Sequence, residues 1–218
     1  MKKEKLDILF EDKYLIVVNK PAGLFTISTD KEKQRTLFHQ ALVYLKQKHK
    51  SNKVFIVHRL DKDTSGIVLF AKSESAKKTL QDNWADVKRE YLAVVNGDVK
   101  KDKEIIKSYL KETKTLLVYS TNDKRGKLAI TEYEKISSTK DYSLLKINIK
   151  TGRKNQIRVH LNDIGHPIVG DRKYGKINTK IVNRLCLHAN VLEFNHPVTN
   201  ELIILESKYP KEFDKFIK

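Results

Sequence analysis

Hydrophobic residues occur along the chain in short runs separated by polar segments. The run at 14–18 ends in a Pro-Ala-Gly turn, and the runs at 54–57 and 67–71 enclose a polar segment. Each run predicts a short buried strand. Thr36 and Ser73 each precede apolar residues at helical spacing, which predicts two capped helices.

Beyond Tyr91 the pattern favours strands, which we predict at 91–95, 116–120, 129–136, 144–149, 188–194 and 202–206. Asn96-Gly97 is typical of a hairpin turn. Helical spacing returns between Ile157 and Ile164, and Phe213–Ile217 predicts a short terminal helix. We therefore predict an α+β fold, with a central mixed and mostly antiparallel sheet flanked by helices, in one domain spanning residues 1–218.

The composition narrows the classes of protein. Lysine and arginine number 44 against 27 acidic residues, and the formal net charge of +17 predicts a polyanionic partner such as RNA, DNA or an anionic membrane surface. The single cysteine excludes a disulfide framework and a cysteine-rich metal site. No apolar run approaches the roughly 18 residues of a membrane span, and the N-terminus lacks a signal peptide. We expect a cytoplasmic protein.

The polar segment between the runs at 54–57 and 67–71 is His58-Arg59-Leu60-Asp61-Lys62-Asp63-Thr64-Ser65-Gly66. It places acidic side chains on a short loop between two buried strands. In one interpretation these carboxylates only bond to amides of their own loop, as is common in turns. In the other, Asp61 projects into a cleft beside Arg59.

A second polar segment, residues 151–160, brings Arg153 and Lys154 to the start of a helix, where anions bind readily. A solvated basic face is the alternative. Arg158 lies between apolar Ile157 and Leu161, so we predict that it points partly inward and requires a carboxylate partner. Asp61 is one candidate. The histidines lack the spacing of a zinc site, and we predict no metal.

Several motifs in the same order resemble one family. The segment 58–66 is similar to the signature of the RluA-type RNA pseudouridine synthases. The resemblance extends over most of the chain, through the segments 12–24 (DKYLIVVNKPAGL), 89–97 (REYLAVVNG), 151–160 (TGRKNQIRVH), 166–171 (HPIVGD) and 184–188 (RLCLH).

This resemblance implies the pseudouridine synthase fold with a basic active-site cleft, and the isomerisation of uridine in ribosomal or transfer RNA without cofactor or metal. The N1–C1′ bond breaks, the uracil rotates, and C5 rejoins C1′. By its position, Asp61 matches the catalytic aspartate, Tyr91 the active-site tyrosine, and Arg158 the basic residue that pairs with the aspartate. The target base must leave its stack, and Arg59 is placed to fill the vacated space.

The resemblance also implies contacts with RNA, which we predict for His58, Arg59, Arg153, Lys154, Asn155 and Arg184. Lys154-Asn155 stands where many relatives carry Thr-His, so an acid–base role is not expected there. The chain starts almost at the first motif, so we expect no N-terminal RNA-binding module. A monomer without an obligate protein partner is the default expectation.

Two other functions fit the charge and the acidic loop. One is an RNA-binding protein that keeps the fold without catalysis, although binding alone needs no nucleophilic carboxylate. The other is a glycosidase that releases free base. Release of tritium from C5 of uridine, with or without free uracil, distinguishes the three.

Overall fold

The computed structural model describes residues 6–28, 34–175 and 182–217. Its chain falls into two compact units, Met1–Lys88 with Ala189–Lys208 and Arg89–His188 with Tyr209–Lys218. Within the described ranges, no helix is long and apolar enough to cross a lipid bilayer. The single catalytic domain over residues 1–218 stays a prediction.

The elements of the first unit are β1 (Ile8–Glu11), β2 (Leu15–Lys20), α1 (Leu37–Lys48), β3 (Phe55–Ile56), β4 (Ser65–Ala71), α2 (Glu74–Asp82), most of β10 (Leu187–Asn195), and β11 (Leu202–Glu206). Its strands follow the order β1-β2-β4-β10. The pairs β1 with β2, β2 with β4, β3 with β4 and β10 with β11 are antiparallel.

Both predicted helix caps in this unit are confirmed. Thr36 accepts a hydrogen bond from the amide of His39 at 3.1 Å, and Ser73 accepts one from the amide of Ala76 at 3.2 Å. All seven residues of β4 are buried. Ile67 and Leu69 share an apolar core with Leu80 of α2, and Phe70 contacts Phe38 of α1, so side chains on both faces of the strand are covered. Gly66 in β4 has φ +114°, and an added Cβ would lie 2.2 Å from the carbonyl oxygen of Ala189, so only glycine fits.

The elements of the second unit are β5 (Lys88–Asn96), β6 (Lys103–Glu112), β7 (Val118–Thr121), β8 (Lys127–Ser138), β9 (Tyr142–Ile149), α3 (Gln156–Asp163), a 3₁₀ turn (Lys211–Phe213) and α4 (Asp214–Ile217). Its strands form an antiparallel sheet in the order β5-β9-β8-β6-β7. Leu161 of α3 and Phe216 of α4 share a core with Leu145 and Ile147 of the sheet.

One expectation about local structure was wrong, two strands were missed, and one predicted strand is shorter than expected. Asn96-Gly97 closes no hairpin, because β5 pairs with β9 and the Gly97 amide donates to Asp141 in another loop. Strands β1 and β6 were not predicted; half of the residues of β6 are charged, yet β7 and β8 hydrogen-bond to both of its edges. The strand predicted at 54–57 contracts to Phe55–Ile56. The α+β class is confirmed.

Candidate active site

The loop that carries Asp61 is anchored by its neighbour Leu60. The Leu60 side chain is 6% exposed, and its backbone is bound twice by one hydroxyl. The Leu60 amide donates to Oγ1 of Thr26 at 3.2 Å, and the same Oγ1 donates to the Leu60 carbonyl at 2.7 Å. Asp61 itself is half-buried and Arg59 is exposed. The backbone on the N-terminal side of Asp61 is therefore fixed while both polar side chains reach the surface.

The C-terminal side of Asp61 is fixed by a buried lysine. Lys20 is fully buried, and its Nζ donates to the carbonyls of Pro21, Leu24 and Lys62 at 3.0, 2.7 and 2.9 Å. An ammonium group has three donors, so these carbonyls meet its need for hydrogen bonds in the interior. The Gly23 amide also donates to the Lys62 carbonyl at 2.8 Å. The two residues that flank Asp61, Leu60 and Lys62, are thus both hydrogen-bonded to the segment 20–26.

His58 begins the same loop with its ring packed against the protein. The ring stacks on Trp84 at a centroid distance of 4.7 Å, and its Nε2 accepts the amide hydrogen of Leu69 at 3.0 Å. Because Nε2 is the acceptor, the neutral ring carries its proton on Nδ1. These contacts orient the loop at its start; the predicted contact of His58 with RNA stays a prediction.

Tyr91 lies in β5 of the second unit, opposite Ile147 of β9. It is half-buried and packs at the edge of the apolar core. Pairing with β9 therefore fixes the backbone of Tyr91. Tyr91 and Arg89 are two residues apart in β5, so their side chains lie on the same face of the sheet.

The basic segment before α3 forms a turn held by Gln156. The Oε1 of Gln156 accepts from the Thr151 hydroxyl at 2.7 Å and from the Arg153 amide at 3.0 Å. Arg153 and Lys154 are exposed, with Arg153 Nε donating to the Leu128 carbonyl at 2.9 Å and Lys154 paired with Glu112. Both cations thus lie at the surface, and their predicted contact with RNA stays a prediction.

Asn155 follows in the left-handed conformation, with φ 54° and ψ 17°, immediately before α3. Asparagine tolerates this conformation better than most residues do. It is 8% exposed and donates from Nδ2 to the Tyr174 hydroxyl at 3.1 Å. The side-chain amide of Asn155 is therefore buried and hydrogen-bonded to another residue of the protein.

Arg158 points inward, as predicted, and its carboxylate partner within the second unit is Asp171. Nε and Nη2 of Arg158 donate to the two carboxylate oxygens at 2.8 and 2.7 Å. Burial alone would raise the pKa of Asp171, but the hydrogen bonds and charge of Arg158 hold that pKa below its ordinary value. The pairing of Arg158 with Asp61 stays a prediction.

Arg184 is half-buried in the second unit. Its guanidinium lies 5.6 Å from the ring centroid of Phe213, and Nε donates to the Leu185 carbonyl at 3.3 Å. Burial lowers the pKa of this guanidinium from its ordinary value. Its predicted contact with RNA stays a prediction.

The structure groups the predicted residues into two sets. His58, Arg59 and Asp61 share one loop of the first unit, whereas Tyr91, Arg184 and the residues around the start of α3 belong to the second. Sequence reasoning did not single out Lys20, Thr26 or Asp171. Of these three, only Asp171 could have been sought from the sequence, because an inward Arg158 requires a buried carboxylate partner.

Comparison with known proteins gives consistent matches. A family model described as RNA pseudouridylate synthase matches residues 14–163. The ribosomal large subunit pseudouridine synthase D of Zymomonas mobilis is 34% identical over 98% of this chain and 72% of its own length. The tRNA pseudouridine synthase C of Haemophilus ducreyi is 34% identical over 97% of this chain and 96% of its own length. The solved structure of human RNA pseudouridylate synthase domain containing 4 matches with a TM-score of 0.81 and 25% identity, over 95% of this chain and 90% of that one.

Proposed function

The chain belongs to the RNA pseudouridylate synthase family and isomerises uridine in RNA to pseudouridine, and we propose that Asp61 is the catalytic carboxylate of this reaction. The observation that carries the proposal is the loop around Asp61. Its carboxylate is half-buried, and the backbone on either side is held by Thr26 and Lys20. A carboxylate held in this way meets the bound substrate at small entropic cost.

A carboxylate suits either of two mechanisms for the isomerisation. In one it attacks C1′ while the N1–C1′ bond breaks. In the other it stabilises the positive charge that develops at C1′ as the base departs. The uracil leaves with the bonding electrons on N1 and then turns. C5 bonds to C1′, which releases the carboxylate wherever it had bonded there, C5 gives up its proton, and N1 takes one up. No atom is gained or lost overall, so the reaction consumes no co-reactant.

Tyr91 and Arg158 have separate roles in this proposal. The ring of Tyr91 stacks on the extruded uracil, and its hydroxyl lies near the proton that leaves C5. Arg158 pairs with Asp61 and keeps it ionised and oriented. Support for these roles is the half-buried ring on rigid β5 and the buried guanidinium on α3.

The proposed RNA contacts begin with the exposed cations Arg59, Arg153 and Lys154. Arg59 stands two residues from Asp61 and occupies the space that the flipped nucleotide vacates. Asn155, His58 and Arg184 complete the proposed set. The excess of lysine supplies sequence-independent attraction to phosphates.

The proposed substrate is a structured ribosomal or transfer RNA, the kinds of RNA named for the bacterial relatives. We further propose that the protein acts in the cytoplasm as a monomer, without an obligate protein partner. Purified protein that modifies RNA by itself, and that sediments as a monomer, is the expected result.

Tritium release tests the role of Asp61. Cellular RNA labelled with tritium at C5 of uridine is incubated with the wild type, Asp61→Asn and Asp63→Asn. Asp63 is an exposed acid on the same loop and serves as the matched control. The wild type and Asp63→Asn release tritium without free uracil, whereas Asp61→Asn releases none and still binds RNA.

Each other outcome has a definite meaning. Full activity of Asp61→Asn would refute the assignment of the carboxylate. No tritium release by the wild type would indicate an RNA-binding protein without catalysis. Free uracil in the products would indicate a glycosidase.

A further inference from the structure

The guanidinium of Arg158 is held along one edge by a buried carboxylate. Asp171 receives Nε–H on one oxygen and Nη2–H on the other, and the side chains of Arg158 and Asp171 are 9% and 0% exposed. This bidentate geometry fixes the plane of the guanidinium as well as its position. A single hydrogen bond would leave that plane to rotate.

Two further contacts restrain the same group. Nη1 of Arg158 donates to Oδ1 of Asn155 at 3.2 Å, and the guanidinium lies 5.1 Å from the ring centroid of Tyr174. Three of the five guanidinium N–H donors are therefore committed to Asp171 and Asn155. Asn155 is itself tied to the Tyr174 hydroxyl, which closes the set of contacts.

Asp171 is rigid in turn. Its Oδ1 accepts the amide hydrogens of Lys173 and Tyr174 at 2.9 and 3.0 Å, and its carbonyl accepts the amide hydrogen of Gly175 at 3.1 Å. The preceding Gly170 has φ +78°, and an added Cβ would lie 1.9 Å from the Arg184 carbonyl oxygen. The carboxylate thus accepts two amides of its own turn, next to a backbone packed closely against that of Arg184.

We propose, on the basis of the function proposed above, that Asp171 is a positioning residue for the isomerisation and that it acts through Arg158. Asp61 loses its negative charge at some stage, either when it bonds to C1′ or when it takes up a proton. A buried guanidinium that depended on Asp61 alone would then be an unpaired charge in the interior. Asp171 keeps Arg158 paired and in one plane throughout the cycle, so Asp61 can return to the same orientation. Asn155 and Tyr174 support this role.

The test compares Asp171→Asn with Asp123→Asn. Asp123 also receives Nε and Nη2 of an arginine, Arg125, together with a backbone amide and the ammonium of Lys111, but Arg125 is exposed. The control therefore removes a carboxylate that binds an arginine outside α3. For each protein, tritium release under single-turnover conditions gives the rate of the bound complex, and filter binding gives the Kd for RNA.

We expect Asp171→Asn to release tritium about 10- to 100-fold more slowly, with the Kd for RNA within about threefold of wild type, because misplacing a reacting group lowers the rate of the bound complex. Asp123→Asn keeps both values. Tyr174→Phe removes the hydroxyl that accepts from Asn155 Nδ2 and from the Val118 amide, and we expect a severalfold loss in rate with the fold retained. It provides the test if Asp171→Asn does not fold, as thermal unfolding will reveal.

Wild-type rates in both Asp171→Asn and Tyr174→Phe would overturn the proposal. So would a loss in Asp171→Asn that appears entirely in the Kd, since that would indicate a role in RNA binding. Wild-type protein that releases no tritium contradicts the function itself, which separates failure of that premise from failure of the role of Asp171.

Discussion

His160 makes the fold sensitive to mild acid. It is fully buried on α3, between the hydroxyls of Thr131 and Ser108, at 2.9 Å from Nδ1 and 3.0 Å from Nε2. Thr131 Oγ1 also accepts from Gln156 at 3.0 Å, so its own hydrogen can donate to Nδ1 while Nε2–H donates to Ser108. The neutral ring is matched by this arrangement. A second ring proton would turn Nδ1 from an acceptor into a donor, and the Thr131 hydroxyl would lose the acceptor for its own hydrogen.

Burial lowers the pKa of His160 from 6.5 to about 4. Below pH 6.5 the unfolded chain therefore binds a proton here that the folded chain refuses, so stability falls as the pH drops through this window and stops falling near pH 4. Each unit of pKa difference corresponds to about 1.4 kcal/mol, so the whole window contributes about 3 kcal/mol. At pH 5 about 2 kcal/mol of this is already lost.

Urea unfolding at pH 7.5 and pH 5.0 measures this loss in the wild type and in His160→Gln. The variant has no titrating ring, so its free energy of unfolding should fall by about 2 kcal/mol less than that of the wild type between the two pH values. His49→Gln, at an exposed histidine, is the control and should follow the wild type. Equal pH dependence in the wild type and His160→Gln would refute the reasoning.

Three further predictions use other features. Gly66→Ala should lower the free energy of unfolding by more than about 3 kcal/mol, because the new Cβ meets the Ala189 backbone. Gly165 also has a positive φ but no atom within 4 Å of an added Cβ, so Gly165→Ala should cost about 1 kcal/mol. Equal losses for the two variants in urea unfolding would contradict the close approach. Lys20→Met removes the ammonium donor from three carbonyls, of which that of Lys62 keeps the Gly23 amide, and should lower the free energy of unfolding by about 3 kcal/mol. This explanation fails if the variant is as stable as the wild type. Raising salt from about 50 to 200 mM should weaken RNA binding by on the order of 10²- to 10³-fold, as for about five phosphate contacts, and a flat response would argue against the lysine field.

Buried elements were the ones that the sequence predicted well. The apolar run at 67–71 became β4, and both capped helices start where Thr36 and Ser73 indicate. Strand β6 escaped prediction because charged side chains occupy its solvated face, and its stability comes from pairing with β7 and β8. That pairing is a tertiary property, which a local pattern of residues does not contain.

The sequence located the loop around Asp61 from its polar interruption of two buried runs. It did not reveal how that loop is held, because lysine is usually exposed and Lys20 resembles any other surface cation in the sequence. For Arg158 the sequence indicated that a carboxylate was required. It did not indicate Asp171, because the choice among several acids depends on how the turn after α3 folds back.

The bond between Thr26 and Leu60 also bears on the order in which the chain folds. It closes a loop of 34 residues that includes all of α1, and such closure costs chain entropy before any contact repays it. The segment around Asp61 should therefore reach its native conformation late in refolding, after β2 and α1 have docked. In the native protein, the Leu60 amide should exchange its hydrogen with solvent only when that whole region opens together.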